Sequence, residues 1–254
     1  MTLNEIKQVL AEKNLRPLKQ LGQNFLFDGN LCRFIAESLP AKAGDAVLEI
    51  GPGLGGLTEW MLKKGWDVSA IEIDKGFCAY LKEKFEKNEH FHLIEGDAME
   101  WLVQAGKFAW VIGNLPYNIS TPLLAEMLQL EKLPEACVLT LQKEVGERLS
   151  ASPRTKEYGA TSVLIQSFYE VESLKTLGSS VFFPEPMVSS TVIRLTKRKD
   201  KKVSAIDRAN FYNFVRQGFS QRRKMIGKKF GLHITSRAEE LLPEEWWKLY
   251  ETAG

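Results

Sequence analysis

Val47-Leu48-Glu49-Ile50-Gly51-Pro52-Gly53-Leu54-Gly55-Gly56 is the stretch on which the fold turns: a short apolar run ends in a glycine cluster, and GLTEWMLKKG follows. The run predicts a buried strand and the stretch after it an amphipathic helix, so the glycines stand at a strand-to-helix turn. Open α/β sheets bind nucleotides at such turns. Gly51 permits the tight turn, Gly53 lets backbone approach a ligand with no Cβ in the way, and Gly55 or Gly56 lets the helix pack close to the strand. Alone, the loop fits NAD as well as S-adenosylmethionine, or no ligand at all.

Working outward, strand-like runs alternate with helical ones: VSAIEID, FCAYLKEKFE, then FHLIEGD. This rhythm predicts a parallel sheet with helices on both faces. Further strands are expected at FAWVIG, EACVLTLQ and STVIRLTK, with helices at STPLLAEMLQL and around YGATSVLIQSF. NEIKQVLAEKN and NLCRFIAESL read as helices flanking the loop KQLGQNFLFDG. Beyond Lys199 the strands stop, and SAIDRANFYNFVRQGF, QRRKMIGKKF and SRAEELLPEEWWKLY read as helices. The expectation is an α/β, doubly wound domain over residues 1–198 and a small helical domain over 199–254, joined by the charged KRKDKK run.

The 254-residue chain is 44% apolar, enough to bury a large core. No run of about 18 uncharged apolar residues predicts a membrane span, and Glu5 and Lys7 sit where a signal peptide needs an apolar core, so a cytoplasmic protein is expected. Cys32, Cys78 and Cys137 are scattered and odd in number, which argues against disulfides; with His90, His92 and His233 they make no ligand cluster, so no metal is expected. The net charge of +2 conceals a strong polarity. Residues 194–230 carry 13 Lys or Arg against Asp200 and Asp207, leaving 21 of the 34 basic and 30 of the 32 acidic residues elsewhere. A segment at +11 beside a body at −9 is the footprint of a polyanionic partner, or a solvated basic face.

Successive strand ends carry the chemistry. Glu72, 21 residues after Gly51, closes the run AIEID, where an acid can accept both hydrogen bonds of a ribose diol. Asp97, followed by Ala98 in EGDAM, stands at the next strand end, where it can accept from an adenine amino group. The fourth strand ends in Asn114-Leu115-Pro116-Tyr117. An exocyclic adenine amine is a poor nucleophile because its lone pair is delocalised into the ring. Two acceptors, the Asn114 side-chain oxygen and the Leu115 or Pro116 carbonyl, can bind its two N–H groups and turn that lone pair towards a methyl sulfonium. Pro116 has no N–H and stiffens the turn, and Tyr117 can stack on an extruded base.

With these strings in place the chain resembles the ribosomal RNA adenine dimethyltransferase family, in its KsgA-type, small-subunit branch. The likeness runs through KQLGQNFL, EIGPGLGGLT, IEID, EGDAM, GNLPYNIS, LQKEV, VFFPEPMVSS and FSQRRK. It implies a Rossmann-like methyltransferase fold and S-adenosylmethionine as methyl donor, held by Asn24, Leu26, Gly51, Gly53, Glu72, Asp97, Ala98 and Asn114. It implies that Asn114 also holds the target amine and that Tyr117 and Phe182 stack on the adenine. Phe182, in a loop stiffened by Pro184 and Pro186, can be an exposed aromatic, although a core phenylalanine is the ordinary reading. The implied reaction dimethylates N6 of two adjacent adenines in a hairpin near the 3′ end of small-subunit rRNA, within an immature ribosomal subunit. A monomer is expected, with Arg222, Arg223 and Lys224 on RNA phosphates. Lys228 and Lys229 replace asparagines usual in the family, and YGATSV departs from its commoner string; both touch RNA contacts rather than chemistry. The rivals are a resistance methylase acting on large-subunit rRNA, an NAD-dependent oxidoreductase, and a non-catalytic ribosome-assembly or transcription factor keeping the fold.

Overall fold

A computed structural model of the chain describes residues 1–199, 203–220, 225–230 and 235–253. The chain opens with helix α1 (Leu3–Glu12), whose Thr2 and Glu5 form a capping box, then the two-residue strand β1 (Phe25–Leu26) and helix α2 (Gly29–Glu37). Strands and helices then alternate: β2 (Ala46–Ile50), α3 (Gly56–Lys63), β3 (Asp67–Glu72), α4 (Lys75–Lys84), β4 (Phe91–Glu95), α5 (Ala98–Ala105), β5 (Trp110–Asn114), α6 (Ser120–Met127) and β6 (Ala136–Gln142). Helices α7 (Lys143–Ser150) and α8 (Ala160–Phe168) lead into β7 (Tyr169–Leu177), the short β8 (Phe182–Phe183) and β9 (Ser190–Lys197). Among the described residues that follow, the α-helices are α9 (Ala205–Phe219), α10 (Ile226–Phe230) and α11 (Pro243–Ala253).

Seven strands form one sheet in the order β4-β3-β2-β5-β6-β9-β7. The order reverses between β2 and its two neighbours, β3 and β5, which opens a crevice at their carboxyl ends. Alternation sets the two faces: Val47 and Val138 enter one core cluster, Leu48, Ile50, Cys137 and Leu139 the other. Helices cover both faces, so the central strands are largely apolar on both.

The doubly wound α/β sheet expected from the sequence is therefore present, with two departures. β9 runs antiparallel to both β6 and β7, and the connection from β7 carries no α-helix of the kind that makes a parallel crossover. β7 itself escapes the alternation argument: it is an edge strand with Glu170, Glu172 and Lys175 facing water, and a bulge at Ser173/Lys175 breaks its period. The stretch expected as a helix over 236–250 is also split. Pro243 opens α11, and the residue before a proline is pushed out of helical geometry.

The C-terminal helices pack on α8. Phe211 and Val215 of α9 and Trp246 and Leu249 of α11 share one buried cluster with Tyr158 and Phe168. Buried Arg208 of α9 fastens this layer to the end of α6, its guanidinium donating to the carbonyls of Leu128, Leu130, Glu131 and Val203. All three cysteines are free and buried. Among the described residues no three His, Cys, Asp or Glu side chains come together as a metal site, and no helix is long and apolar enough to cross a membrane.

Candidate active site

The crevice at the strand ends is a cleft of about 300 Å³, lined by the glycine turn, Asn24, Leu26, Glu72, Asp97, Ala98 and residues 114–119. That volume falls within the range of small-molecule sites. Gly51 and Gly53 both hold positive φ, +69° and +57°. A side chain at Gly53 is doubly disfavoured, since its Cβ would lie 2.9 Å from the Phe25 ring. Gly55 holds a positive φ of +72°, and its missing Cβ leaves room for Phe85 and Leu81 at the end of α4.

Glu72 is buried, 5% exposed, and caged by backbone. Its Oε2 accepts from the Gly53 N–H and its Oε1 from the N–H groups of Ile73 and Asp74, all at 3.0 Å. Burial pushes this carboxyl above the ordinary carboxylate range, and the three hydrogen bonds oppose that shift. A carboxylate has about four acceptor positions, so a ribose diol meets one that is largely engaged, with the spare capacity on Oε2. Asp97 is set up differently. Its Oδ1 accepts from Met99 at the start of α5, at 2.8 Å, while Oδ2 has no partner among the described residues.

Two lining residues escape the sequence argument. Glu49 is buried beneath the glycine turn, where Thr58 Oγ1 donates to its Oε2 at 2.6 Å. Burial raises its carboxyl to about 8, and the nearby Glu72 charge adds to that. An acid inside the otherwise apolar run AVLEI is the signal that could have singled it out. Ile73 is the other, an apolar side chain 47% exposed on the cleft wall beside Glu72.

At the end of β5, the Asn114 Nδ2 donates to the Asn24 carbonyl at 2.7 Å, which leaves Oδ1 as the unpartnered end of the amide. Asn24 is itself held, its Nδ2 donating to the Gly22 carbonyl at 3.0 Å. The Pro116 carbonyl accepts the Ile119 N–H at 3.2 Å, whereas the Leu115 carbonyl receives no hydrogen bond among the described residues. Of the two carbonyls the sequence leaves open, Leu115 is the one free to accept. The Tyr117 hydroxyl shares a 2.7 Å hydrogen bond with Ser190 Oγ, which pins the ring to the buried start of β9.

Phe182 requires correction. It is 3% exposed, pairs across β1 and β8 with Leu26, and packs in the core beneath the sheet rather than lining the cleft. The physical reason is the short β1·β8 ladder, which turns this side chain inward; its neighbour Phe183 is the partly exposed one. Arg222, Arg223 and Lys224 lie outside the described residues. Phe219, just before them, stacks on Trp246 at 5.2 Å, and Phe214 stacks on Phe230 at 4.1 Å, so both face the helical core.

Known proteins resemble this chain in sequence and in fold. The chain is 34% identical to the ribosomal RNA small subunit methyltransferase A of Clostridium acetobutylicum, over 98% of this chain and 89% of that protein. It is 39% identical to the protein of the same name from Bacillus cytotoxicus, over 89% of this chain and 80% of the relative. In three dimensions it superposes on a dimethyladenosine transferase from Plasmodium falciparum with a TM-score of 0.81 at 24% identity, covering 91% and 98% of the two chains. The 23S rRNA methyltransferase ErmE follows at 0.68 and 22%, covering 89% and 98%. At these identities the two structures establish a shared methyltransferase fold. The profile of the ribosomal RNA adenine dimethylases matches residues 14–245, nearly the whole chain and every strand end of the cleft, and the chain belongs to that family.

Proposed function

We propose that the protein transfers methyl groups from S-adenosylmethionine to N6 of two adjacent adenines in a hairpin near the 3′ end of small-subunit rRNA, giving N6,N6-dimethyladenosine. It acts as a cytoplasmic monomer on an immature ribosomal subunit and contributes to that subunit's biogenesis. Residues 1–198 form the methyltransferase part and 199–254 a helical part that binds RNA. The observation that carries the reading is the amide of Asn114. With Nδ2 engaged by Asn24, Oδ1 stands as an acceptor beside the open Leu115 carbonyl.

The lining residues fit the methyl donor. Glu72 and Asp97 offer acceptors to ribose hydroxyls and to an adenine amino group, Ile73 and Ala98 offer apolar surface, and Asn24, Leu26, Gly51 and Gly53 complete the walls. S-adenosylmethionine supplies an electrophilic methyl group on its sulfonium. The chain's own part is positioning: Asn114 Oδ1 and the Leu115 carbonyl take the two N–H groups of the target amine, and Tyr117 stacks on the extruded adenine. These dipoles are oriented before the reaction, and so stabilise charge developing on the nitrogen at little reorganisation cost. The ammonium formed is acidic enough to lose its proton to water, and no general base is needed. A monomethylated amine retains one N–H, so a second transfer needs only one of the two acceptors. Relatives named as small-subunit methyltransferases support this target over large-subunit rRNA. Mapping dimethyladenosine in rRNA from cells lacking the protein tests the reading: the modification should vanish from the small subunit, and its persistence there overturns the assignment.

A further inference from the structure

The loop at residues 184–189, between β8 and β9, is fastened at both ends and bare at its tip. On one side β8 pairs with β1, and Ser179 Oγ donates to Glu185 Oε1 at 2.6 Å. On the other, the Lys143 N–H donates to the Ser189 carbonyl at 2.9 Å and Ser190 Oγ bonds Tyr117. Pro184 and Pro186 fix φ at two positions in between. What projects from this frame is Met187, fully exposed at 102%, and Val188, at 45%. A single exposed apolar side chain is unremarkable, but one presented whole on an anchored loop beside a reaction site has a use to be sought.

Met187 stands three positions before Ser190, a reach of at most about 10 Å, which keeps the tip close to Tyr117. Lys7 lies 5.7 Å from the centre of the Phe183 ring, and Lys143 follows at the loop's other anchor, so a cation stands on either side. The exposed Lys143–Glu147 contact, at 3.6 Å, is too weak to remove that cation from use. Two neighbouring apolar residues are far too small a patch for a stable protein interface. They suit a gap between bases flanked by phosphates.

We propose that Met187, supported by Val188, is a wedge that enters the rRNA base stack as the target adenine leaves it for Tyr117 and Asn114. The proposal rests on the rRNA methyl-transfer reading above. Extruding a base leaves a stacking gap, and proteins that unstack bases fill it with apolar side chains such as methionine. Methionine suits the task because it is uncharged, unbranched and polarisable. The fixed loop matters too, because little conformational freedom is lost when its tip inserts.

The test compares Met187→Ser, which removes the wedge, with Met187→Leu, which keeps its bulk. Turnover is measured on undermethylated small ribosomal subunits, and extrusion by the fluorescence of 2-aminopurine placed at the target position of the matching rRNA hairpin. Met187→Ser should lose about tenfold or more in kcat and most of the fluorescence rise, with cofactor affinity and melting temperature unchanged, while Met187→Leu retains both signals. Wild-type behaviour of Met187→Ser overturns the wedge, as does a loss matched by weaker cofactor binding or a lower melting temperature. Photo-methionine at position 187 should cross-link rRNA; cross-linking only a ribosomal protein overturns the proposal in favour of protein docking. Wild-type protein that extrudes the base without transferring methyl overturns the methyl-transfer reading and leaves the wedge standing.

Discussion

The Asn114 side-chain amide and the Asn24 main-chain carbonyl, 2.7 Å apart, couple the end of β5 to the loop that precedes β1. This contact decides which end of the amide is free, since only Nδ2 can donate to a carbonyl. Asn114→Ala removes the acceptor for the target amine and should cut methyl transfer by about 10²–10³ fold, the scale for losing one preorganised polar group. RNA affinity should largely survive. Radiolabelled methyl transfer beside filter binding checks both, and wild-type turnover in the variant would remove Asn114 from the reaction site.

Glu72 should matter twice. Glu72→Ala takes an acceptor from the cofactor and also strands the N–H groups of Gly53, Ile73 and Asp74. S-adenosylmethionine affinity should fall by roughly 1.5–3 kcal/mol, and folding stability should drop as the glycine turn loses its tie to β3. Calorimetry and thermal melting separate the two effects; unchanged affinity in a folded variant would take Glu72 out of the site.

Glu49 makes stability depend on pH. Its folded-state value, about 8, lies above its ordinary 4.5 because burial disfavours the charged form. The folded chain then holds a proton that the unfolded chain releases, so this contribution is complete below about pH 4.5 and is lost as the pH rises through about 8. Glu49→Gln cannot titrate and should gain stability relative to wild type across that window. Denaturation series at several pH values check it, a constant difference being the contrary result.

Tyr117 should act through its ring more than its hydroxyl. Tyr117→Ala removes the stacking surface, worth about 1–3 kcal/mol per base, and should lower kcat/KM by roughly 5-fold to 150-fold. Tyr117→Phe keeps the ring and loses only the tether to Ser190, so it should fall between wild type and alanine. If phenylalanine and alanine are equally impaired, the hydroxyl rather than stacking is what counts.

Arg222, Arg223 and Lys224 are assigned to RNA by charge and family likeness. Neutralising all three should weaken binding to ribosomal particles and lower the salt slope by up to about three ion equivalents, since each lost phosphate contact releases one fewer counterion. Cofactor affinity should hold. Wild-type affinity with an unaltered slope would move the RNA surface elsewhere, with 197–202 the next segment to examine.

Periodicity alone carried the reading of strands that are apolar on one face or both, and these are the strands that build the cleft. Wherever burial is one-sided or interrupted the pattern weakens, as in the mostly exposed edge strand β7 and in the helix that Pro243 restarts. Phe182 shows the same limit. Its composition and neighbours admit an exposed aromatic, and only the pairing of β1 with β8, across more than 150 residues of chain, turns it inward.

The sequence by itself determined the doubly wound sheet, the order of the strand ends and the identity of the polar groups there, because hydrophobic alternation and turn chemistry are local properties. Tertiary structure alone decided how those groups are engaged. The Glu72 carboxylate is caged by backbone, Glu49 is buried and held by Thr58, and the free acceptors are Asn114 Oδ1 and the Leu115 carbonyl rather than that of Pro116. Hydrogen bonding, burial and charge at a site depend on residues brought together from distant parts of the chain, and no local pattern encodes those meetings.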